Sequence, residues 1–317
     1  MKILSLFSGA GGFDLGLIQA GNQVVWANDI DKNAASTYMK NIGGHIICAD
    51  IKDISMLDMP SSVDAVVGGF PCQGFSQANM RRAVDDDRNM LYKFFLYAVR
   101  AVLPKYFIAE NVKGILSLDG GNVINLIKAD FMNAGYVTSI NLIHLADFGI
   151  PQTRQRVFII GHRKDIPSMF KFLLPQKTHC KSGNPKPWMS MKSAIGHYPE
   201  PDETDSYLNH VCSSYKLAYR DFTAHRPTSP DKPSPTILAR GNGKGGVCAI
   251  PHYNGKRRIS VRESATLQTF PENFEFIGPI NSCYRQVGNA VPVKFAYLLG
   301  TELIRLEGGL NENSITV

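Results

Sequence analysis

Cysteine is sparse in this 317-residue sequence, and the six present are scattered. Cys48, Cys72, Cys180, Cys212, Cys248 and Cys283 form no CxxC pair and no Cys/His cluster at zinc spacing. A disulfide framework and a metal centre are therefore not expected, and a reduced, cytosolic chain is the simplest expectation. No apolar run reaches the ~20 residues of a membrane span. The N-terminus, MKILSLFSGAGG, has only a brief apolar stretch and no cleavage-site pattern, so it reads as a first strand and not as a signal peptide. Internal repeats and low-complexity tracts are lacking too. Acidic residues are scarce in one block: residues 151–260 hold 18 Lys and Arg against 7 Asp and Glu, while the rest of the chain holds 16 against 20. A solvated surface accounts for some of this, but so uneven a split of a net charge of +7 favours a polyanionic partner.

What is present is enough apolar sequence, 44% of residues, for a sizeable core, arranged as alternating short strands and helices. Lys2–Leu6, Val24–Asn28, His45–Ala49, Val63–Val67 and Tyr106–Ala109 read as strands. Phe13–Ala20, Lys32–Asn41, Met90–Leu103 and Val123–Ala134 read as helices, the third from the spacing of Leu91, Phe94, Phe95, Ala98, Val99 and Val102. Repeated strand–helix units of this length imply an α/β fold with a doubly wound, mostly parallel sheet. Val137–His144 and Val157–Gly161 have no helix between them and are expected as a hairpin at an edge. From about Pro167 to Gly255 the texture changes. Twelve of the 18 prolines lie in 151–260, which forbids long helices. This block is expected to be a small, loop-rich second domain anchored by aromatics such as Trp188, Tyr198 and Tyr207. The expected division is 1–165, 166–258 and 259–317, the last segment returning to the first domain through helices at Val261–Thr269 and Val293–Arg305, with fraying from about Gly308.

Two stretches carry chemistry. In VDAVVGGFPCQGFS (63–76) a buried strand meets two glycines and then Pro71-Cys72. Pro71 fixes its own φ and biases Phe70 toward an extended shape, so Cys72 sits on a stiffened turn past a strand end, where ligands of open α/β sheets gather. A lone cysteine is more often structural, but a rigid loop suits an exposed nucleophile better than a packed core. In LFSGAGGFD (6–14) a glycine turn joins the first strand to a helix, the setting of a nucleotide-type cofactor loop. The spacing is Gly9-x-Gly11-Gly12. Both the full GxGxxG and the Lys-Ser/Thr of a phosphate loop are missing, which lowers the case for NAD or ATP. Asp29 ends the second strand 20 positions after Gly9, placed to accept ribose hydroxyls, and Asp50 ends the third, placed for an adenine amino group. Each alone fits a helix cap equally well; together they suit an adenosine cofactor without a diphosphate, such as S-adenosylmethionine.

The chain resembles the DNA (cytosine-5) methyltransferases of bacterial restriction-modification systems. Six stretches occur in that family's order: FSGAGGFDLG (7–16), GGFPCQGFS (68–76), AENVKG (109–114), QTRQRVFIIG (152–161), VRESATLQTFP (261–271) and QVGNAVPV (286–293). The resemblance implies a Rossmann-like, S-adenosylmethionine-dependent sheet with a small target-recognition domain between the fourth and fifth stretches, and double-stranded DNA in the cleft. It implies that Cys72 adds to C6 of a flipped-out cytosine and Glu110 acts at N3. Asn111 would position the Pro-Cys loop, Arg156 would meet the base carbonyl, and Arg154 would support Cys72 or a phosphate. Phe7, Ser8, Gly9, Gly11, Gly12, Asp29, Ile30, Asp50, Ile51, Pro71, Leu91, Asn289, Ala290 and Val291 would hold the cofactor. Gln73 to Arg88 resembles a closing loop, with Ser76 and Arg88 on phosphates. ARGNGKGG (239–246) resembles a recognition loop, with Arg240 a candidate for a guanine and Lys244, Arg226, Arg257 and Arg258 as alternatives or phosphate contacts.

Asp29 stands where Glu is common in that family, and Ile30 where many members carry an aromatic residue. The alternative is RNA (tRNA) cytosine-5 methylation, whose Cys-Phe-Thr tripeptide is absent; amino-group methylation lacks its Asp/Asn-Pro-Pro-aromatic motif. A catalytically silent DNA-binding protein would show damage at Cys72 or Glu110, and both are intact. The resemblance further implies a prokaryotic, cytoplasmic monomer associated with nucleoid DNA, no membrane partner, and a cognate restriction endonuclease acting separately.

Overall fold

The computed structural model of the protein describes residues 1–71, 91–167, 171–201, 207–213, 228–239 and 249–314, with side chains to residue 309. Its strands are β1 (Lys2–Leu6), β2 (Gln23–Asp29), β3 (Ile46–Cys48), β4 (Ala65–Gly68), β5 (Tyr106–Val112), β6 (Tyr136–His144), β7 (Gln152–Thr153), β8 (Gln155–Arg163) and β9 (Ser234–Pro235). Its helices are α1 (Gly12–Gln19), α2 (Lys32–Asn41), α3 (Leu91–Val102), α4 (Asn122–Asn133), α5 (Met191–Ile195), α6 (Val261–Leu267), α7 (Ile280–Asn289) and α8 (Val293–Ser314).

Continuous apolar runs dictate the central layer. Ile3, Leu4 and Leu6 of β1, Ala65 to Val67 of β4 and Phe107 to Ala109 of β5 are wholly buried, as strands covered on both faces must be. Seven strands form one sheet in the order β3-β2-β1-β4-β5-β8-β6. The first five are parallel, and β8 runs antiparallel to both β5 and β6. The chain winds outward one way from β1 through β2 and β3, then the other way from β4, so the switch point lies between β1 and β4. The C-terminal ends of β1, β2, β4 and β5 converge there.

The expected edge hairpin is half right. β6 and β8 are antiparallel neighbours, but β8 is inserted between β5 and β6, and only β6 is at the edge. Val157, Phe158, Ile159 and Ile160 are buried and need a partner on either side, whereas β6 alternates buried and exposed residues, the pattern an edge strand tolerates. One face of the sheet packs with α1, α2 and α8 through Phe13, Leu17, Tyr38, Phe295, Leu299 and Leu303. The other face packs with α3 and α4 through Phe95, Val99, Ile127 and Phe131.

A third core joins Met191, Ile195, Tyr198, Ile237, Ile250 and Ile259 to Val261, Leu267, Phe270, Tyr284 and Val287. Residues on both sides of position 258 therefore share one core, and it is α8 that rejoins the sheet. α7 was not anticipated: INSCYRQVGN has weak helix formers, and burial of Cys283, Tyr284 and Val287 makes the helix. α8 continues to Ser314 beyond the expected fraying point, because Leu303 and Leu306 are buried and a helix propagates readily from an anchored turn. No helix among the described residues is long and apolar enough to cross a membrane.

Candidate active site

A cleft of about 1000 Å³ opens at the switch point, the place where the chain reversal leaves strand ends uncovered. Its floor is the turn after β1. Gly9 has φ 57° with open space where a Cβ would stand. Gly11 has φ 87° and caps α1, but it does not line the cleft: a Cβ there would collide with Ile42 and Tyr38. Its part is to turn the chain and let α2 approach, not to meet a ligand. Phe7 also has positive φ, 55°, an unusual conformation for a bulky residue.

Asp29 is tied into this turn. One carboxylate oxygen accepts the Gly9 N–H at 2.7 Å and the other the Asp31 N–H at 2.8 Å; burial raises its pKa above the usual carboxylate value. Asp31 caps α2 by accepting from Asn33 and Ala34 N–H and pairs with Arg285 at 2.7 Å. Asp50 caps a short 3-10 turn by accepting from Lys52 N–H. Phe7, Ser8, Gly9, Gly12, Asp29, Ile30, Asp50, Ile51, Pro71, Leu91, Asn289, Ala290 and Val291 all line the same cleft. Ile30 stands at the rim, 64% exposed.

The far wall comes from β5 and β8. Glu110 is 9% exposed, and one of its oxygens receives Arg156 Nε at 2.9 Å. The pairing follows from register: β5 and β8 are antiparallel, with Val112 opposite Arg156 and Glu110 opposite Phe158, which puts residues two apart on one face. Asn111 Nδ2 donates to the Phe70 carbonyl at 3.0 Å, and its Oδ1 accepts the Val112 N–H at 2.9 Å. Asn111 therefore holds the turn that leads through Pro71 to Cys72. Cys72 itself lies outside the described residues, as do Ser76, Arg88, Arg240 and Lys244.

Arg154 also lines the cleft, and its guanidinium is engaged by the protein itself. It is 1% exposed and donates to the carbonyls of Ile237, Gly288 and Ala290. Burial, with repulsion from Arg156, lowers its guanidinium pKa to about 9, so it stays cationic at neutral pH. Gln152 and Gln268 complete this clasp: Gln152 Nε2 donates to Gln268 Oε1, Gln152 Oε1 accepts the Ile237 N–H, and Gln268 Nε2 donates to Val287 and Ala290 carbonyls. These glutamines were missed in the sequence, where nothing distinguishes a buried amide from a surface one. Arg257 and Arg258, expected on DNA, are also engaged internally. Arg257 clamps Glu263 with two bonds of 2.8 Å and reaches Glu200 at 2.6 Å. Arg258 is 5% exposed and stacks 3.6 Å over the Tyr284 ring.

A parallel sheet in this order, with an antiparallel strand inserted near its far end and a glycine turn under the switch-point cleft, defines a Rossmann-like α/β fold. The structure is similar to that of the Schizosaccharomyces pombe Dnmt2 methyltransferase, with a TM-score of 0.71, 22% identity and 96% and 99% of the two chains covered, a likeness of fold alone. In sequence the chain is 39% identical to the type II methyltransferase M.NgoFVII of Neisseria gonorrhoeae, over 92% of this chain and 83% of that one. It is 35% identical to the type II methyltransferase M.BsuRI of Bacillus subtilis, over 93% and 77%. The family model of the C-5 cytosine-specific DNA methylases matches residues 1–305. The chain belongs to that family: it is a DNA (cytosine-5) methyltransferase that depends on S-adenosylmethionine.

Proposed function

We propose that the protein methylates C5 of a cytosine rotated out of duplex DNA, through a transient bond between Cys72 and C6 of the base. The observation that carries this reading is the Glu110–Arg156 pair, 2.9 Å apart, in the same cleft as the glycine turn and Asp29. The residues present suit the cofactor. Gly9 leaves room against the backbone, Asp29 and Asp50 offer acceptors at the ends of neighbouring strands, and Phe7, Ile51 and Leu91 supply apolar walls. When bound, S-adenosylmethionine supplies a sulfonium-borne methyl group, the electrophile that C5 captures.

The chain's own residues make C5 able to capture it. Addition of the Cys72 thiolate to C6 pushes the ring electrons toward C5 and N3, while Glu110 shares or gives a proton at N3. Arg156 holds Glu110 in place and offers its remaining N–H groups to the base carbonyl. Asn111 aims the Pro71-Cys72 turn by its bond to Phe70. After methylation the C5 proton leaves to a base, the C–S bond breaks, Cys72 departs as thiolate and Glu110 recovers the N3 proton. Flipping the base out of the stack costs a few kcal/mol, met by contacts from the 73–88 segment and the recognition block, including Ser76, Arg88, Arg240 and Lys244. The type II relatives support a protective role on prokaryotic DNA; that the enzyme acts as a monomer, with any endonuclease acting separately, is part of the same proposal.

Covalent trapping tests the core of this. With S-adenosylmethionine and a duplex bearing 5-fluorocytosine at the target, the enzyme is expected to stall as a mass-shifted adduct at Cys72. C72A is expected to bind the same DNA without turnover. An adduct on tRNA and on no DNA would transfer the substrate to RNA, and methylation by C72A would remove Cys72 from the mechanism. Bisulfite sequencing of DNA from expressing cells reads out the site.

A further inference from the structure

Among the described residues two carboxylates are wholly enclosed, Glu263 and Asp14. Glu263 has the Arg257 guanidinium against it. Asp14, on the first turn of α1, is met by hydroxyls instead. One oxygen accepts from Ser5 Oγ of β1 at 2.6 Å and the other from Tyr38 Oη of α2 at 2.8 Å. Ser5 Oγ in turn accepts from Ser8 Oγ at 2.9 Å, and Tyr38 Oη lies 2.9 Å from Nε2 of the half-buried His45. These are the groups that face Asp14 from the elements around it, and no charged group contributes to its shift. Enclosing a carboxylate without a cation is costly, and the reaction proposed above makes no use of this one.

The chain of hydroxyls has one consistent direction. An ionised carboxylate only accepts. Ser5 and Tyr38 each have one hydroxyl proton, and both must point at Asp14. Ser5 is then free only to accept, so Ser8 commits its proton inward, and His45 donates to Tyr38. Ser5 and Ser8 both line the cleft, and Ser8 lies between Phe7 and Gly9, both at positive φ. The charge on Asp14 thus reaches the cleft wall as a fixed hydroxyl orientation: Ser8 presents lone pairs, not a proton.

We infer that Asp14 is a positioning residue for S-adenosylmethionine: its carboxylate orients Ser5 and, through it, Ser8, and so holds the Phe7–Gly9 turn in its binding conformation. This rests on the reading that the cleft holds that cofactor. Burial raises the Asp14 pKa to about 6, so the orientation weakens in mild acid. A protonated Asp14 can donate to Tyr38, which then donates to His45, and the inward pull on Ser5 is reduced.

The test is calorimetric binding of S-adenosylhomocysteine to the full chain between pH 5.5 and 7.5. A neutral amide is a weaker acceptor than a carboxylate, so D14N is expected to bind about fivefold more weakly at pH 7.5 while melting no lower than the wild type. Wild-type affinity is expected to fall about two- to threefold at pH 5.5, where the protonated form predominates and binds as weakly as D14N. The other groups of the cleft are the same in both proteins, so the wild-type profile relative to D14N isolates Asp14. Y38F removes a donor to the ionised form and is expected to move the midpoint of the wild-type profile to higher pH. Should D14N fail to fold, S5A cuts the relay at the cleft side and is expected to flatten the profile. D14N or S5A with the wild-type affinity and pH profile would overturn the positioning role. A wild type that binds no S-adenosylhomocysteine would instead overturn the reading of the cleft.

Discussion

Replacing Arg257 with Gln separates an internal clamp from a DNA contact. In the structure its guanidinium grips Glu263 at 2.8 and 2.8 Å and Glu200 at 2.6 Å. Glu263 is wholly buried and also accepts the Ser260 N–H at 2.7 Å in a capping box. Removing one partner of a buried pair costs about 3–5 kcal/mol because the other charge is left uncompensated; with the Gln amide replacing one bond, about 3 kcal/mol is a fair figure. Unfolding entropy of ~2.1 cal/mol/K per residue gives roughly 0.7 kcal/mol/K for a chain of this length, so the melting temperature is expected to drop by about 4–5 °C. The discriminating assay is DNA binding against salt. A lysine or arginine on a phosphate contributes about 0.9 to the slope of log affinity against log salt. For R257Q the slope is expected to stay within about 0.2 of the wild type, since no phosphate contact is lost. E263Q, which has no charge to offer DNA, is expected to melt lower too, and the double variant to show coupling above about 1 kcal/mol. A slope reduced by about one with an unchanged melting temperature would refute the clamp and return Arg257 to the DNA interface.

E110Q is expected to lose about 10³-fold in turnover, the scale of a general acid's contribution, with DNA affinity within about threefold of the wild type; filter binding beside methyl incorporation measures both, and full activity would remove the N3 role. G9A and G11A are expected to part company: both glycines sit at positive φ, but only Gly11 also lacks room for a Cβ, so G11A should lower the urea midpoint well below that of G9A, which folds but binds S-adenosylhomocysteine more weakly. Equal midpoints would contradict the different duties of the two glycines. Asp14 also shapes acid stability. Its carboxyl is raised from 3.8 to about 6 in the folded protein, so its stabilising contribution is present below about pH 4 and lost as pH rises through 6. The stability of D14N relative to the wild type is therefore expected to grow by about 2 kcal/mol between pH 4 and 6.5 and then level off; parallel urea midpoints across that range would contradict it.

Much of the sheet was legible because its signals are local. β1, β4 and β5 are short apolar runs with a turn behind them, and α3 repeats its apolar residues at helical spacing. Gly9, Asp29 and Glu110 could be located because a strand end is visible as the last residue of such a run. What escaped depends on partners far away in sequence. β8 reads as an edge strand until β5 and β6 are found on either side of it. α7 has little helical propensity and forms because Tyr284 and Val287 fill the third core. Gln152, Gln268 and Arg154 look like surface polar residues until the carbonyls of positions 237 and 287–290 are brought to them.

By itself the sequence determined the alternation of strands and helices in the first half of the chain, the glycine turn, the rigid Pro71 turn and the chemical types at the cleft. Each of these follows from residues a few positions apart, through backbone sterics and side-chain periodicity. The tertiary structure alone decided what each charged group does. Arg156 became the partner of Glu110, Arg154 a clasp on three carbonyls, and Arg257 and Arg258 internal supports. Asp14 became the end of a hydroxyl chain reaching the cleft. The reason is physical: a guanidinium or carboxylate takes its role from its desolvation and from its nearest opposite charge or dipole, and both are set by chain segments tens to hundreds of residues away.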